Sequence, residues 1–278
     1  MEKIMMNDGH QIPLLGFGTY KSTQKEGIEA IINALHHGYR LIDTASIYGN
    51  EKIVGTAIKE SGIPRAEITV TTKLWRNNLG YKQAKTAFQE SLDNLGLGYI
   101  DLYLIHWPAN ARNYKNWQQV NADSWRALEE LQNDGKVSSI GVSNFWQNHL
   151  EELFQTAKII PAVNQIEFHP GYWQPQVTAF CQENTITVES WSPLARGAVF
   201  GNHILKRIAL KHNKTISQIC LRWIIQHGVI AIPKASVPER IEENIHLFDF
   251  NLSEEDMLDI DTLPQMGFSG ELPDQWPD

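Results

Sequence analysis

Asp43, Tyr48, Lys73 and His106 are four side chains whose chemistry can be combined. Asp43 ends the apolar approach Leu41-Ile42, and Tyr48 follows it five residues later. A carboxylate at the end of a buried strand is poorly solvated and needs a cation. Lys73, which ends the strand-like run 68–72, is expected to supply it. Free tyrosine is a weak acid with a pKa of about 10, and an ammonium within a few ångströms favours tyrosinate. Lys73 is therefore expected to lower the Tyr48 pKa while Asp43 keeps the lysine charged and oriented. His106 ends another apolar run, 102–105, where an imidazole can donate to a substrate oxygen and fix its orientation. Together the four describe a phenol tuned to protonate a developing alkoxide, which is half of a carbonyl reduction. The other half is hydride, and a nicotinamide is its simplest source.

The elements that must position these residues follow from periodicity. Strand-like runs fall at 14–18, 40–43, 68–72, 100–106, 139–143, 162–166, 185–191 and 229–232. Patterns of helical period lie between them at 25–36, 51–59, 82–95, 124–132, 147–155, 174–182, and 204–212 with 217–226. Asn50 is expected to cap the second of these helices. Eight strands alternating with helices predict an α/β fold, a closed parallel (β/α)8 TIM barrel, with an open doubly wound sheet as the alternative. The placement of polar residues favours the barrel. Asp43, Lys73, His106, Ser143, Asn144, Gln165, Ser192 and Lys234 each stand at or just beyond a successive strand's C-terminal end, where a barrel collects its active site. An open sheet would concentrate them at one switch point. Before the barrel, Asn7-Asp8-Gly9 between short apolar flanks predicts an N-terminal β-hairpin. Long loops at 107–123 and 263–278, carrying aromatics such as Phe268 and Trp276, are expected to form pocket walls at the C-terminal face.

A nicotinamide cofactor would have to bind without a Rossmann fingerprint. Gly16-Phe17-Gly18 lacks the third glycine, and Gly96-Leu97-Gly98 follows a helix instead of opening one. Ser143, Asn144 and Gln165 offer donors and acceptors for a carboxamide, and Trp191 offers a flat surface for the ring.

The 278 residues suit one barrel domain, 1–278, with no low-complexity linker or internal repeat marking a boundary. A net charge of −8 argues against nucleic acid as a partner. No apolar run approaches the roughly 18 residues of a membrane span, and residues 1–9 lack the apolar core of a signal peptide. Two cysteines, Cys181 and Cys220, suit a reducing cytoplasm and inert packing. Glu167 and His169 with His106 do not make a convincing zinc set, since Phe168 and Pro170 read as loop geometry, so no metal is expected.

Seven motifs in order resemble one family. They are Asp43-Thr44-Ala45 with Tyr48-Gly49-Asn50-Glu51, Lys73, Leu104-Ile105-His106-Trp107-Pro108, Gly141-Val142-Ser143-Asn144-Phe145, Asn164-Gln165-Ile166-Glu167-Phe168-His169-Pro170, Trp191-Ser192-Pro193-Leu194, and Ile232-Pro233-Lys234 through Arg240 to Glu243-Asn244. From Pro13 to about Leu263 the chain resembles the aldo-keto reductases. Trp191, where many members carry Tyr, and the short tail make it similar to the bacterial 2,5-diketo-D-gluconate reductase and glyoxal reductase group. The resemblance implies an NADPH-dependent, monomeric barrel enzyme acting on small-molecule carbonyls, with Tyr48 as general acid and Asp43, Lys73 and His106 as its partners. It assigns Ser143, Asn144 and Gln165 to the nicotinamide amide, and Ser192 and Leu194 to the pyrophosphate region. Lys234 and Arg240 would hold the adenosine 2′-phosphate and Glu243 and Asn244 the adenine, with Gly18, Thr19 and Asp43 completing the cofactor contacts.

One departure bears on the cofactor. Members usually carry Ser directly after the lysine, whereas this chain has Ala235 and then Ser236. Backbone amides before the helix over 239–244 could still bind phosphate, so NADPH is expected ahead of NADH. Tyr20, Trp75 and Trp107 follow strand ends and are expected to line the substrate pocket beside Tyr48 and His106. The sequence leaves dicarbonyls, keto sugars and small aldehydes open as substrates. Two rivals remain, a redox-sensing or structural barrel that binds NADPH with little turnover, and a metal-dependent barrel hydrolase.

Overall fold

The chain's short runs of branched and aromatic residues form strands in a computed structural model that describes residues 2–22 and 24–275. β1 (Lys3–Met5) pairs antiparallel with β2 (Gln11–Pro13), Lys3 opposite Pro13, and Gly9 at φ 86° closes the hairpin turn. Eight parallel strands follow: β3 (Phe17–Gly18), β4 (Leu41–Asp43), β5 (Thr69–Leu74), β6 (Ile100–Ile105), β7 (Val137–Ser143), β8 (Val163–Glu167), β9 (Thr187–Trp191) and β10 (Ile230–Ala231). They lie side by side in chain order. The ring closes because Leu15 bridges Ala231, with Ala231 N donating to Leu14 O at 2.9 Å and Gly18 N to Pro233 O at 3.0 Å. This is the (β/α)8 barrel that the alternation implied, with its N-terminal hairpin.

The helices around it are α1 (Gln24–His36), α2 (Glu51–Glu60), α3 (Tyr81–Leu95), α4 (Trp117–Asn133), α5 (Gln147–Phe154), α6 (Pro175–Glu183), α7 (His203–His212), α8 (Ile216–Gln226), α9 (Pro238–Ile245) and α10 (Glu254–Asp261). Among the described residues, no helix is long and apolar enough to cross a membrane. Strand residues alternate between two cores, because successive side chains point to opposite faces. The larger core lies between strands and helices and includes Ile42, Val70, Tyr103, Ile105, Val142, Ile166 and Val188. The smaller fills the barrel's lower interior with Leu41, Leu102, Leu104, Val163 and Ile230, and the hairpin's Met6 and Ile12 close it from below. Packing the bottom with hydrocarbon leaves the upper ends of the same inward-facing rows for polar groups.

Three local expectations are corrected. α4 begins at Trp117, so much of the 107–123 loop is helix, and Trp117 packs edge-on to His149 with ring centres 5.6 Å apart. Asn50 precedes α2 without capping it. Its amide instead donates to Thr19 O at 2.8 Å and Ser22 O at 3.1 Å, while its oxygen accepts from Thr44 at 2.7 Å. These bonds tie the loops after β3 and β4 together. α10 was not expected, although Ser253 and Asp256 form a capping box at its start. Trp276 lies outside the described residues.

Candidate active site

Asp43, Lys73, His106, Gln165 and Trp191 converge at the C-terminal mouth of the barrel. Lys73 is fully buried on β5, where Nζ donates to Asp43 Oδ2 at 2.6 Å and to Thr44 O at 2.8 Å. The pair is not isolated, since Gln165 on β8 donates from Nε2 to the same carboxylate oxygen at 2.9 Å. Tyr48 belongs to a 3-10 turn, Ser46–Tyr48, anchored by Ser46 Oγ donating to Lys73 O at 2.9 Å. The turn carries the phenol over the pair, with Lys73 Nζ 5.4 Å from its ring centre.

The electrostatics reverse one expectation. Burial first, then Asp43, Tyr20 and Glu271, hold the Tyr48 phenol well above its ordinary value of 10. The Lys73 ammonium does not offset this, because its charge is matched by Asp43 at 2.6 Å. At neutral pH the phenol therefore keeps its proton. His106 faces it with ring centres 5.9 Å apart in an edge arrangement. Burial, and secondarily the Lys73 charge, hold His106 well below 6.5, so it is a neutral imidazole. Its Nδ1 is buried without a hydrogen-bond partner.

Aromatic side chains surround this pair of rings. Trp75 lies 5.2 Å from the His106 ring, and the exposed Tyr20 lies 5.0 Å from the Tyr48 ring. Trp107 is 4% exposed, so it backs the mouth more than it faces it. Glu271 and Pro273 from the tail line a cleft with Asn144, Trp146, Tyr172, Gln174 and Trp191. The tail is pinned there by Ser269 Oγ donating to Glu167 Oε2 at 2.7 Å, by Arg196 with Glu271 at 3.0 Å, and by Asn110 Nδ2 donating to Pro273 O at 2.8 Å. Phe268 packs on Tyr172 at 4.5 Å. Sequence reasoning missed Arg196, Glu271 and the role of Glu167 as an anchor for the tail, because contacts made by a tail with no periodicity leave no local signal.

Ser143, Asn144 and Gln165 are together, as expected, but they are already bonded to one another. Ser143 Oγ donates to Gln165 O at 2.8 Å, and Asn144 Nδ2 donates to His106 O at 3.0 Å and Ser143 Oγ at 3.1 Å. Asn144 Oδ1 accepts from Trp191 Nε1 at 2.8 Å. Asn144 sits at φ 62°, a left-handed conformation that Asn tolerates better than most residues. That bond holds the half-buried indole by its edge and leaves its faces for stacking.

The remaining residues named from sequence follow the rim. Gly18 and Thr19 leave β3, and Thr19 is buried with its hydroxyl donating to Asp43 O at 2.9 Å. Ser192 and Leu194 are half-buried after β9, and Ser192 has φ 53°. Lys234, Ser236 and Arg240 are exposed around the start of α9. Asn244 is 3% exposed and its Oδ1 is buried without a partner. Glu243 is half-buried and accepts from Thr215 at 2.6 Å. Cys181 and Cys220 are buried and unpaired, and burial raises both thiols, Cys181 to about 11. Glu167 and His169 lie 3.3 Å apart. Among the described residues, no group of three His, Cys, Asp or Glu side chains could hold a metal ion.

A phenol, a lysine–aspartate pair and an imidazole are thus gathered at the mouth of a parallel barrel. Residues 14–264 match the model of the aldo/keto reductase family, and the chain belongs to that family. It is similar to the glyoxal reductase of Bacillus subtilis (strain 168), 46% identical over 275 residues that span 99% of this chain and 97% of the relative. Among solved structures it superposes with a TM-score of 0.93 on MGS-M4, an aldo-keto reductase from a Medee basin deep-sea metagenome library, at 44% identity with 99% of each chain covered. A mutant of Gox0644 in complex with NADPH gives a TM-score of 0.93 at 38% identity, covering 100% of this chain and 99% of that one.

Proposed function

We propose that this chain reduces aldehyde or ketone carbonyls to alcohols with NADPH, Tyr48 giving the proton to the substrate oxygen. The observation that carries the reading is the convergence of Tyr48, His106 and the Lys73–Asp43 pair on one point at the barrel mouth. The substrate oxygen is held between the phenol and the neutral His106 ring, which orients it. Tyr48 is a stored proton in the resting site, as its raised pKa requires. Lys73 acts once that proton leaves, when its ammonium faces the tyrosinate; Asp43 and Gln165 keep it charged and in place. Trp75, Tyr20 and the tail wall exclude water.

The residues present fit the dinucleotide. Among the described residues Asn244 Oδ1 is a buried acceptor without a partner, and Lys234 and Arg240 are exposed cations that make no ion pair, in an acidic chain. On this reading Lys234, Ser236 and Arg240 hold the 2′-phosphate, and Glu243 and Asn244 the adenine. Ser192 and Leu194 serve the pyrophosphate, while Gly18, Thr19, Ser143, Asn144, Gln165 and Trp191 serve the nicotinamide end. When bound, the nicotinamide supplies hydride. The NADPH of the Gox0644 complex supports the same cofactor here.

For substrate we favour dicarbonyls among the dicarbonyls, keto sugars and small aldehydes that an aromatic pocket admits, in keeping with the glyoxal reductase relative. Residues 1–278 are taken as one domain, a monomer acting in the cytoplasm. Titration with NADPH and NADH by quenching of tryptophan fluorescence, followed by absorbance decay with methylglyoxal, an aromatic aldehyde and a diketo sugar acid, tests the reading. NADPH binding with accelerated oxidation by at least one carbonyl is expected; absence of nucleotide binding contradicts it.

A further inference from the structure

Glu189 stands two residues before Trp191 on β9, on the same inward face one layer deeper in the barrel. It is fully buried, and neither carboxyl oxygen has a hydrogen-bond partner among the described residues. It lies opposite Gln165 in the β8–β9 register and opposite Ile230 in the β9–β10 register. The Gln165 amide that supports Asp43 thus has a second carboxyl beside it, approached but not engaged. The charged groups acting on Glu189 are Asp43 from β4 and Lys73 from β5. β8 offers the uncharged Gln165, and β10 only Ile230 and Ala231. A carboxylate this deep, with no donor closed on it, is far costlier than the neutral acid.

We propose that Glu189 is a positioning residue for the site above, a neutral carboxylic acid whose ionisation draws the Gln165 amide away from Asp43 and weakens the support of Tyr48. The inference rests on the reductase reading. Burial first, then the Asp43 charge, push the Glu189 carboxyl up to about 8, against the opposing Lys73 ammonium and Gln165 amide. Below that pH the acid keeps its proton and Gln165 stays on Asp43. Above it the proton leaves to solvent, and a second negative charge faces Lys73. The ammonium is then shared between two carboxylates, and the tyrosinate left by proton donation is less well stabilised.

The test compares kcat/KM for methylglyoxal reduction across about pH 6 to 10 in the wild type and Glu189→Gln, at saturating NADPH. A single ionisation at about 8 is about nine-tenths complete one pH unit higher, so the wild type is expected to fall at least fivefold between about pH 7 and 9. Glu189→Gln, which cannot ionise, is expected to fall less than twofold. Identical profiles overturn the proposal. The infrared carbonyl stretch of a protonated carboxylic acid gives a readout independent of turnover. It is expected in the wild type at neutral pH, lost in Glu189→Gln, and titrating away near pH 8. Its absence from the wild type overturns the proposal even where the variant does not fold. Tyr48→Phe keeps that band, so loss of the Tyr48 role and loss of the Glu189 role are told apart.

Discussion

Lys73 Nζ is 2.6 Å from Asp43 Oδ2 at a fully buried position, and the Tyr48 ring centre is 5.4 Å from the same nitrogen. The lysine's first partner is thus the carboxylate, and the phenol comes second. That order makes the pair a structural element in its own right, beside the role proposed for it.

Removing one member of a buried ion pair costs about 3–5 kcal/mol, because the other is left as an uncompensated charge. Asp43→Ala is expected to lose stability on that scale in equilibrium urea unfolding. Asp43→Ala with Lys73→Met is expected to lose less than the two single variants added together. Additive losses would mean that the pair is not energetically coupled.

His106 and His149 are both held below 6.5 by burial, although Asp274 3.0 Å from His149 pulls the other way. Below 6.5 the unfolded chain binds protons that the folded imidazoles refuse, so stability falls as pH drops through that window and is fully present above it. Each histidine contributes a slope of at most about 1.4 kcal/mol per pH unit. Unfolding midpoints at about pH 7.5 and 5.5 check this. His106→Gln is expected to flatten the difference.

Lys234 and Arg240 are exposed around the start of α9 and make no ion pair among the described residues. Hydrogen bonds to charged groups are worth about 1.5–3 kcal/mol, so replacing either cation with Ala is expected to weaken NADPH binding roughly tenfold or more. NADH binding, which lacks the 2′-phosphate, is expected to change by less than twofold. Equal losses for both nucleotides would place the cations elsewhere on the ligand.

Gly141 is the inward position of β7 below Ser143, where an added Cβ would sit 2.6 Å from Val163 O and 2.7 Å from Leu104 Cδ2. The backbone oxygen cannot yield as a side chain can. Gly141→Ala is expected to cost roughly 1–3 kcal/mol by overpacking, measured in urea, with a fall in kcat as β7 shifts.

Strand order and inward polarity were legible because both follow from local periodicity. Asp43 ends β4 and His106 follows β6, as expected, whereas β5 runs one residue past Lys73 to Leu74 and β8 two past Gln165 to Glu167; all four still stand in the upper half of the barrel in chain order. Closure of β3 on β10 follows from the same pattern. What sequence could not give depends on distances across the barrel. The direction of the Tyr48 shift turns first on how deeply the phenol is buried once the barrel closes, and then on the Asp43 charge beside it. Asn50 has the composition of a cap, yet three loop contacts outcompete that role. Glu189 was legible in one respect, as the inward residue two before Trp191; its lack of partners could not be read locally. The tail's contacts with Glu167, Arg196 and Asn110 were hidden for the same reason, whereas α10 was missed although its capping box of Ser253 and Asp256 is a local signal.

In the proposed reaction Tyr48 delivers the proton. Tyr48→Phe removes one oxygen and keeps the ring that packs against Tyr20 and His106. The direct measurement is single-turnover oxidation of bound NADPH by saturating methylglyoxal, alongside NADPH affinity from fluorescence quenching. Affinity within twofold of wild type is expected, with a rate lower by about 10²–10⁴, the usual contribution of a positioned acid. A rate within a few-fold of wild type would contradict it and move the proton to another group.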